Sequence, residues 1–279
     1  MPGPSSLGRC NRCGRYVNLP VEVIEAVREG RCAIFVGSRF AAEAVELAGD
    51  VPLDGRALAK ALGWKPPRPL PGRSRGPVTP SVQAAAAEYE ARDGRSAMEA
   101  RLEELVGIQD HSPTPAHDVV VARFGRVFTT SWDTLLEKAA ANAGRACRVV
   151  ARSEPIPDAE GDELILVRMR GAFGKSVCVT DGDHLASPMT DEERKKLRSF
   201  IRKNVVLFVG YRPDEEEFEV LFEELTAAYG GELPRCHLAV AQGRIDDYQW
   251  QRWVWRGLLL FTADPTECMK VLEEQLNAC

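Results

Sequence analysis

Cys32-Ala33-Ile34-Phe35-Val36-Gly37 and Val205-Val206-Leu207-Phe208-Val209-Gly210 are two apolar runs of one kind, each closed by a glycine. Neither alternates with polar residues. A strand with one wet face would alternate, whereas a short continuous run marks a strand buried on both faces, as in the middle of a parallel sheet. Residues 163–169 (ELILVRM) and 236–241 (CHLAVA) read the same way. Weaker strand signals lie at 126–130 (RVFTT), 177–180 (VCVT) and 258–261 (LLLF).

Helical patterns fill the intervals. A helix follows RVFTT directly, with Asp133 placed to cap it. Residues 190–203 read as a charged amphipathic helix. Residues 215–228 place Phe218, Leu221, Phe222 and Leu225 on one face. The last helix opens on Asp264-Pro265-Thr266-Glu267, a cap, a first-turn proline and an acidic residue near the positive end of the helix dipole. Strands alternating with helices at this spacing predict an α/β fold: a Rossmann-like, doubly wound, mostly parallel sheet. Residues 81–124 break the alternation, reading as helices only, and are expected to form a helical insertion module. The preceding residues 65–80 are rich in Pro, Gly and Arg and read as an exposed loop. The main domain is expected over 19–279, after an N-terminal tail, 1–18, that carries a Cys10/Cys13 pair.

With 279 residues, 44% of them hydrophobic and 28% charged, the chain can bury a core without disulfides or metals to staple it. Its net charge of −5 argues against a dedicated nucleic-acid partner, since such proteins usually show a basic face. The basic cluster Arg194, Lys195, Lys196, Arg198, Arg202 and Lys203 is by default a solvated helix face. No apolar run approaches a bilayer-spanning length and the first residues lack a secretory core. A cytoplasmic protein with reduced thiols and no membrane partner is therefore expected. Cys10 and Cys13 have the spacing of half a zinc site, with no second close pair to complete it, so no metal site is assigned. Tyr248, Trp250, Trp253 and Trp255 are either core or the hot spot of a subunit interface.

Three stretches, in order, resemble sirtuin-like domains. Ala33-Ile34-Phe35-Val36-Gly37-Ser38-Arg39 resembles the family's strand ending in Gly-Ala-Gly-x-Ser. Thr129-Thr130-Ser131-Trp132-Asp133-Thr134-Leu135-Leu136-Glu137 is similar to its Thr-Thr-Asn-x-Asp-x-Leu-Leu-Glu, with His117 where a histidine often precedes it. Phe208-Val209-Gly210-Tyr211-Arg212-Pro213-Asp214 with Phe218 looks like its Phe-Val-Gly-Tyr-Ser-x-x-Asp-x-x-Phe. The most similar subgroup is that of prokaryotic antiphage defence proteins, which hydrolyse NAD to nicotinamide and ADP-ribose. The resemblance implies a nucleotide pocket lined by Gly37, Ser38, Arg39, Thr129, Thr130, Ser131, Asp133, Arg170, Gly171, Gly210 and Tyr211.

Three positions depart from the family pattern. Arg39 stands at the glycine that lets backbone approach the pyrophosphate, and Ser131 at the asparagine that positions the ribose and water. Arg170, in Val167-Arg168-Met169-Arg170-Gly171, stands at the histidine general base, and a guanidinium accepts no proton near neutral pH. The expected function is a degenerate sirtuin-like subunit, non-catalytic or weakly catalytic, that binds a nucleotide or assembles into a homo-oligomer or hetero-complex. The alternatives are an active NAD hydrolase and an interaction protein with an empty pocket that docks to a ring ATPase. No cofactor is certain; NAD or ADP-ribose is the candidate. Arg39 and Arg170 are read first as partners of carboxylates or as solvated groups, and otherwise as an anion site.

Overall fold

Alternate residues of a single strand enter opposite cores, which is why the deciding runs carry no polar positions. In the computed structural model, Cys32, Ile34 and Val36 pack on one side of the sheet, and Ala33 and Phe35 on the other. The structure describes residues 8–9, 16–17, 19–48, 55–65, 81–106, 111–152, 154–158, 161–186, 190–231, 233, 236–240 and 245–278. The Cys10/Cys13 pair and nearly all of the 65–80 loop lie outside them.

Seven parallel strands form the sheet: β1 (Cys32–Val36), β2 (Arg126–Thr129), β3 (Cys147–Ala151), β4 (Leu164–Arg168), β5 (Val205–Val209), β6 (Cys236–Val240) and β7 (Leu258–Thr262). Their spatial order is β7-β6-β5-β1-β2-β4-β3. The chain winds outward from β1 through β2, then returns to lay β5 on β1's other side. Such a reversal opens a crevice beyond the strand C-termini. The sheet is wholly parallel, where the sequence suggested mostly parallel.

The helices are α1 (Val21–Arg28), α2 (Ala42–Leu47), α3 (Gly55–Ala61), α4 (Val82–Asp93), α5 (Arg95–Val106), α6 (Pro115–Arg123), α7 (Leu135–Asn142), α8 (Asp181–Ala186), α9 (Asp191–Lys203), α10 (Glu216–Tyr229), α11 (Asp247–Trp255) and α12 (Pro265–Asn277). Buried side chains of α1, α6, α7 and α12 cover one face of the sheet, and those of α9, α10 and α11 the other. Phe35 stacks on Phe128 at 4.7 Å between centroids and packs against Phe208 at 5.2 Å, tying β2, β1 and β5 together in the second core. Thr190 and Glu193 close a reciprocal capping box on α9, each side chain bonded to the other's backbone N–H.

A third, smaller core joins α3, α4 and α5 through Leu58, Ala86, Met98 and Leu102. It continues onto Trp132 and onto Val177 and Val179. Two helices expected in the insertion, α4 and α5, therefore share a core with α3. The third, α6, packs instead beside α7 and α12 in the layer over the sheet, because Ala116, Val120 and Val121 all point into that core. The 177–180 signal forms only a two-residue antiparallel ribbon, Ser176–Val177 with Gly171–Ala172, outside the main sheet.

Candidate functional site

β1 and β5 end side by side, with Val36 opposite Val209. Gly37 N–H donates to Val209 O (2.9 Å), and Arg39 N–H to Gly210 O (3.1 Å). A Cβ on Gly37 would fall 2.5 Å from Gly210 O and 2.7 Å from the Tyr211 ring. One on Gly210, whose φ is +79°, would fall 2.8 Å from the Phe40 nitrogen. Both glycines are thus required by the contact of the two loops with each other.

Four polar residues meet at this junction. Ser38 Oγ donates to Glu217 Oε2 (2.7 Å), and Thr130 Oγ1 to Glu217 Oε1 (2.5 Å). The Tyr211 hydroxyl lies 3.2 Å from Thr130 Oγ1. Burial is the main cause that holds the Tyr211 phenol far above its usual range, with Glu217 adding to it. The phenol therefore serves only as a neutral hydroxyl. Glu217 stands in the first turn of α10, where the helix dipole favours a carboxylate. It bridges the loops after β1 and β2 and occupies two of the hydroxyls that the resemblance assigns to a ligand, those of Ser38 and Thr130.

Arg39 lies 3.7 Å from Glu215 Oε1, whose side chain is 6% exposed, and Arg212 lies 3.4 Å from the same carboxylate. Arg212 and Arg56 also pair with Asp214, at 2.6 and 2.9 Å. Their charge outweighs burial and keeps the Asp214 carboxyl below its usual range. Asp214 and Glu215, just before α10, are thus matched by arginines, the kind of pairing that the carboxylate-partner reading of Arg39 expects.

The loop after β2 is held from beneath. Thr129 Oγ1 donates to Val36 O (2.9 Å) and accepts from Ser131 N–H (3.0 Å). Ser131 Oγ donates to Asp133, whose Oδ1 accepts the N–H of Leu135 (3.0 Å). Asp133 therefore serves the start of α7 from one residue before the cap position, which Thr134 holds. Arg168, at the end of β4, is buried; it pairs with Glu137 and donates to Ser131 O (2.9 Å) and Asp133 O (2.6 Å). Val36, His117, Asp133 and Arg168 are among the residues around a cavity of about 10 Å³ beneath this loop, room for about one water.

Arg170 lies near enough to the junction for its charge to act on the Tyr211 phenol. Its guanidinium stacks over Trp132 at 5.7 Å, while its carbonyl accepts the indole N–H (3.2 Å) and the amide of Cys178 (2.9 Å). Gly171 follows at φ +73°, turning the chain into the ribbon. His117 replaces the usual glutamate of a capping box: its Nδ1 accepts from Thr114 N–H (3.2 Å) and meets Thr114 Oγ1 at 2.9 Å. Burial keeps this imidazole below its ordinary range and neutral.

Gly37, Ser38, Arg39, Thr130, Gly210 and Tyr211 are therefore brought together, Thr129, Ser131 and Asp133 support them, and Arg170 and Gly171 lie at the neighbouring strand end. Glu217, Arg168 and Glu137 were not singled out from the sequence.

A doubly wound parallel sheet with a crevice at its reversal defines a Rossmann-like α/β protein. Residues 125–258 match the family model described as the SIR2-like domain, so the chain carries a sirtuin-like domain. Among solved structures, a Sir2 homologue in complex with NAD is 9% identical, covering 94% of this chain and 95% of that one at a TM-score of 0.49. A structure concerned with the mechanism and regulation of Sir2 enzymes is 10% identical, covering 93% and 100%, at a TM-score of 0.43. No curated protein matches the chain. No helix among the described residues is long and apolar enough to cross a membrane.

Proposed function

We propose that the chain is a sirtuin-like subunit that does not turn over NAD and acts through what it assembles with. One observation carries this reading: Glu217 occupies Ser38 and Thr130 from within the protein, at the junction where the resemblance puts a pyrophosphate and ribose. A carboxylate there repels a nucleotide's phosphates and leaves its hydroxyls without donors. The position of the family's base supports the same reading, because Arg170 cannot take a proton. Tyr248 and Trp255, 72% and 75% exposed on α11, give the subunit an aromatic face, whereas Trp253 between them is core.

The same carboxylate favours a second reading, an active NAD hydrolase whose unfamiliar base is Glu217, since a glutamate beside a bound hydroxyl can accept its proton. Nicotinamide release from NAD by the full chain and by Glu217→Gln separates the two. We expect no turnover from either protein. Turnover of about 1 per second or faster in the native chain, lost in Glu217→Gln, would establish the hydrolase instead.

A further inference from the structure

The two edges of the sheet are built differently. At one edge β3 reads Cys-Arg-Val-Val-Ala, and its Arg148 pairs with Glu163 at 3.1 Å. A charge on an edge strand blunts it against pairing with another chain. At the other edge β7 reads Leu-Leu-Leu-Phe-Thr, without a charge or a proline, and pairs with β6 in unbroken register. Among the described residues no strand lies on its outer side. Six large hydrophobic side chains are exposed among the described residues, and four of them, Tyr248, Val254, Trp255 and Leu259, stand on α11 and β7. Clustered in this way, they mark a contact surface.

The backbone shows which groups this edge offers. Ala263 N–H donates to Val240 O (3.0 Å), toward β6. Along a strand the N–H and C=O groups of successive residues point to opposite sides. Leu259 and Phe261 therefore also bond toward β6, while Leu258, Leu260 and Thr262 hold theirs outward. That set is symmetric about Leu260. A second β7 laid antiparallel across a two-fold axis at Leu260 matches outward groups with outward groups: Leu260 with Leu260, and Leu258 with Thr262. On the other face Leu259, 51% exposed, meets Phe261 of the second copy. The same axis sends Arg256, two residues before the strand, toward Asp264 of the second copy, two residues after it. Arg256 reaches its own Glu219 and Glu223 only at 3.5 and 3.6 Å, and the Asp264 side chain caps no amide of α12. An axis at Leu259 or Phe261 would leave fewer residues paired and part the two charges.

We propose that β7 is a homodimer interface, in which two chains join their sheets by antiparallel pairing of Leu258–Thr262 across a two-fold axis at Leu260. This names the partner in the assembling-subunit reading above and rests on that part of it. A second copy fits because its own β7 offers the same outward groups and the opposite charge at each facing end, so the edge complements itself. Two-fold pairing also closes: it uses up the unblunted edge of each sheet and leaves the charged β3 at both ends.

The test follows the mass of the full chain by light scattering through a dilution series. At about 100 µM it should be mostly twice the mass of one chain, as for a Kd of about 10 µM or tighter. Leu259→Lys changes a half-exposed side chain and should raise that Kd by about tenfold or more. Leu260→Cys should form a disulfide to its own copy on mild oxidation, mapped by peptide mass spectrometry, because facing residues of such a pair have Cα atoms about 5.5 Å apart. Thr262→Cys should not, since the axis sets the two copies of that position more than about 13 Å apart. A monomer at about 100 µM overturns the proposal and leaves the edge to a different protein. A dimer that keeps its Kd in Leu259→Lys, or that does not cross-link through Leu260→Cys, overturns it by placing the interface elsewhere. Should Leu260→Cys not fold, Leu259→Lys decides alone. Nicotinamide release measured on the same samples keeps the two readings apart: a monomer without turnover overturns the dimer alone, and a dimer with turnover overturns the silent pocket alone.

Discussion

Two polar clusters sit at the C-terminal end of one sheet and differ in what they leave over. Around the ends of β1, β2 and β4, Glu217 takes Ser38 and Thr130, while Arg168 takes Glu137 and two loop carbonyls. Beyond β3 and β4, Glu224 takes His184 and Arg152, yet His184 Nε2 remains without a completed bond to a described residue. A buried network that satisfies its own donors fixes backbone and has little left for a ligand. One that holds a ring nitrogen unpaired keeps a costly group in place, which is where chemistry is to be sought. The crevice that the resemblance points to also keeps one such atom, Glu137 Oε2, but as an acceptor on a carboxylate already paired with Arg168.

The largest effect that sharpens this contrast is expected at Arg168. Arg168→Met strands the Glu137 carboxylate and two carbonyls in a buried place, and should cost about 3–5 kcal/mol in denaturant unfolding. A loss under about 1 kcal/mol would mean that the network is not structural. Gly210→Ala should cost about 2–5 kcal/mol. A left-handed alanine carries about 1–2 kcal/mol of strain, and its Cβ would meet the Phe40 nitrogen at 2.8 Å, an overpacking of about 1–3 kcal/mol. A stable Gly210→Ala protein that gained affinity for ADP-ribose in a melting assay would break the comparison, by showing that the two loops part readily.

The smallest effect is in the pH dependence of stability, read from unfolding midpoints between about pH 5 and pH 10. His184 is raised from 6.5 to about 9, so its stabilisation is fully present below 6.5 and is lost as pH rises through about 9. His117 and His237 are held below 6.5, chiefly by burial, so their neutral forms favour the fold above 6.5 and stability falls as the pH drops below it. The histidines together give a maximum near pH 6.5. His184→Gln should flatten the alkaline limb and leave the acid limb unchanged; an unaltered alkaline limb would show that the Glu224–His184 contact does not hold in solution.

Much of the fold was legible in the sequence for one reason: strands buried on both faces must be continuously apolar. β1, β4, β5 and β6 obey this without exception at their centres. β3 escaped notice because it is an edge strand, with Arg148 and partly exposed neighbours in Cys-Arg-Val-Val-Ala, so its apolar signal is diluted. Helix α6 was assigned to the insertion because its period does not reveal which core receives it. Within the site, glycines and hydroxyls could be read from their motifs. Glu217 lies within the 215–228 helix pattern, which says nothing of its partners, and these lie 87 and 179 positions away. Asp133 was legible as a helix-start residue because its partner, the Leu135 amide, is local.

Local pattern and composition determined the α/β class, the parallel core strands, the helix starts and the stretches that resemble a sirtuin-like domain. These follow from burial periodicity and from short-range hydrogen bonding, both of which act within a few residues. Tertiary structure alone decided which charges meet. It aimed Arg39 at Glu215, Arg168 at Glu137 and Glu217 at Ser38 and Thr130, and it set His184 against Glu224. A charged side chain finds its partner through space, and strand order sets that space.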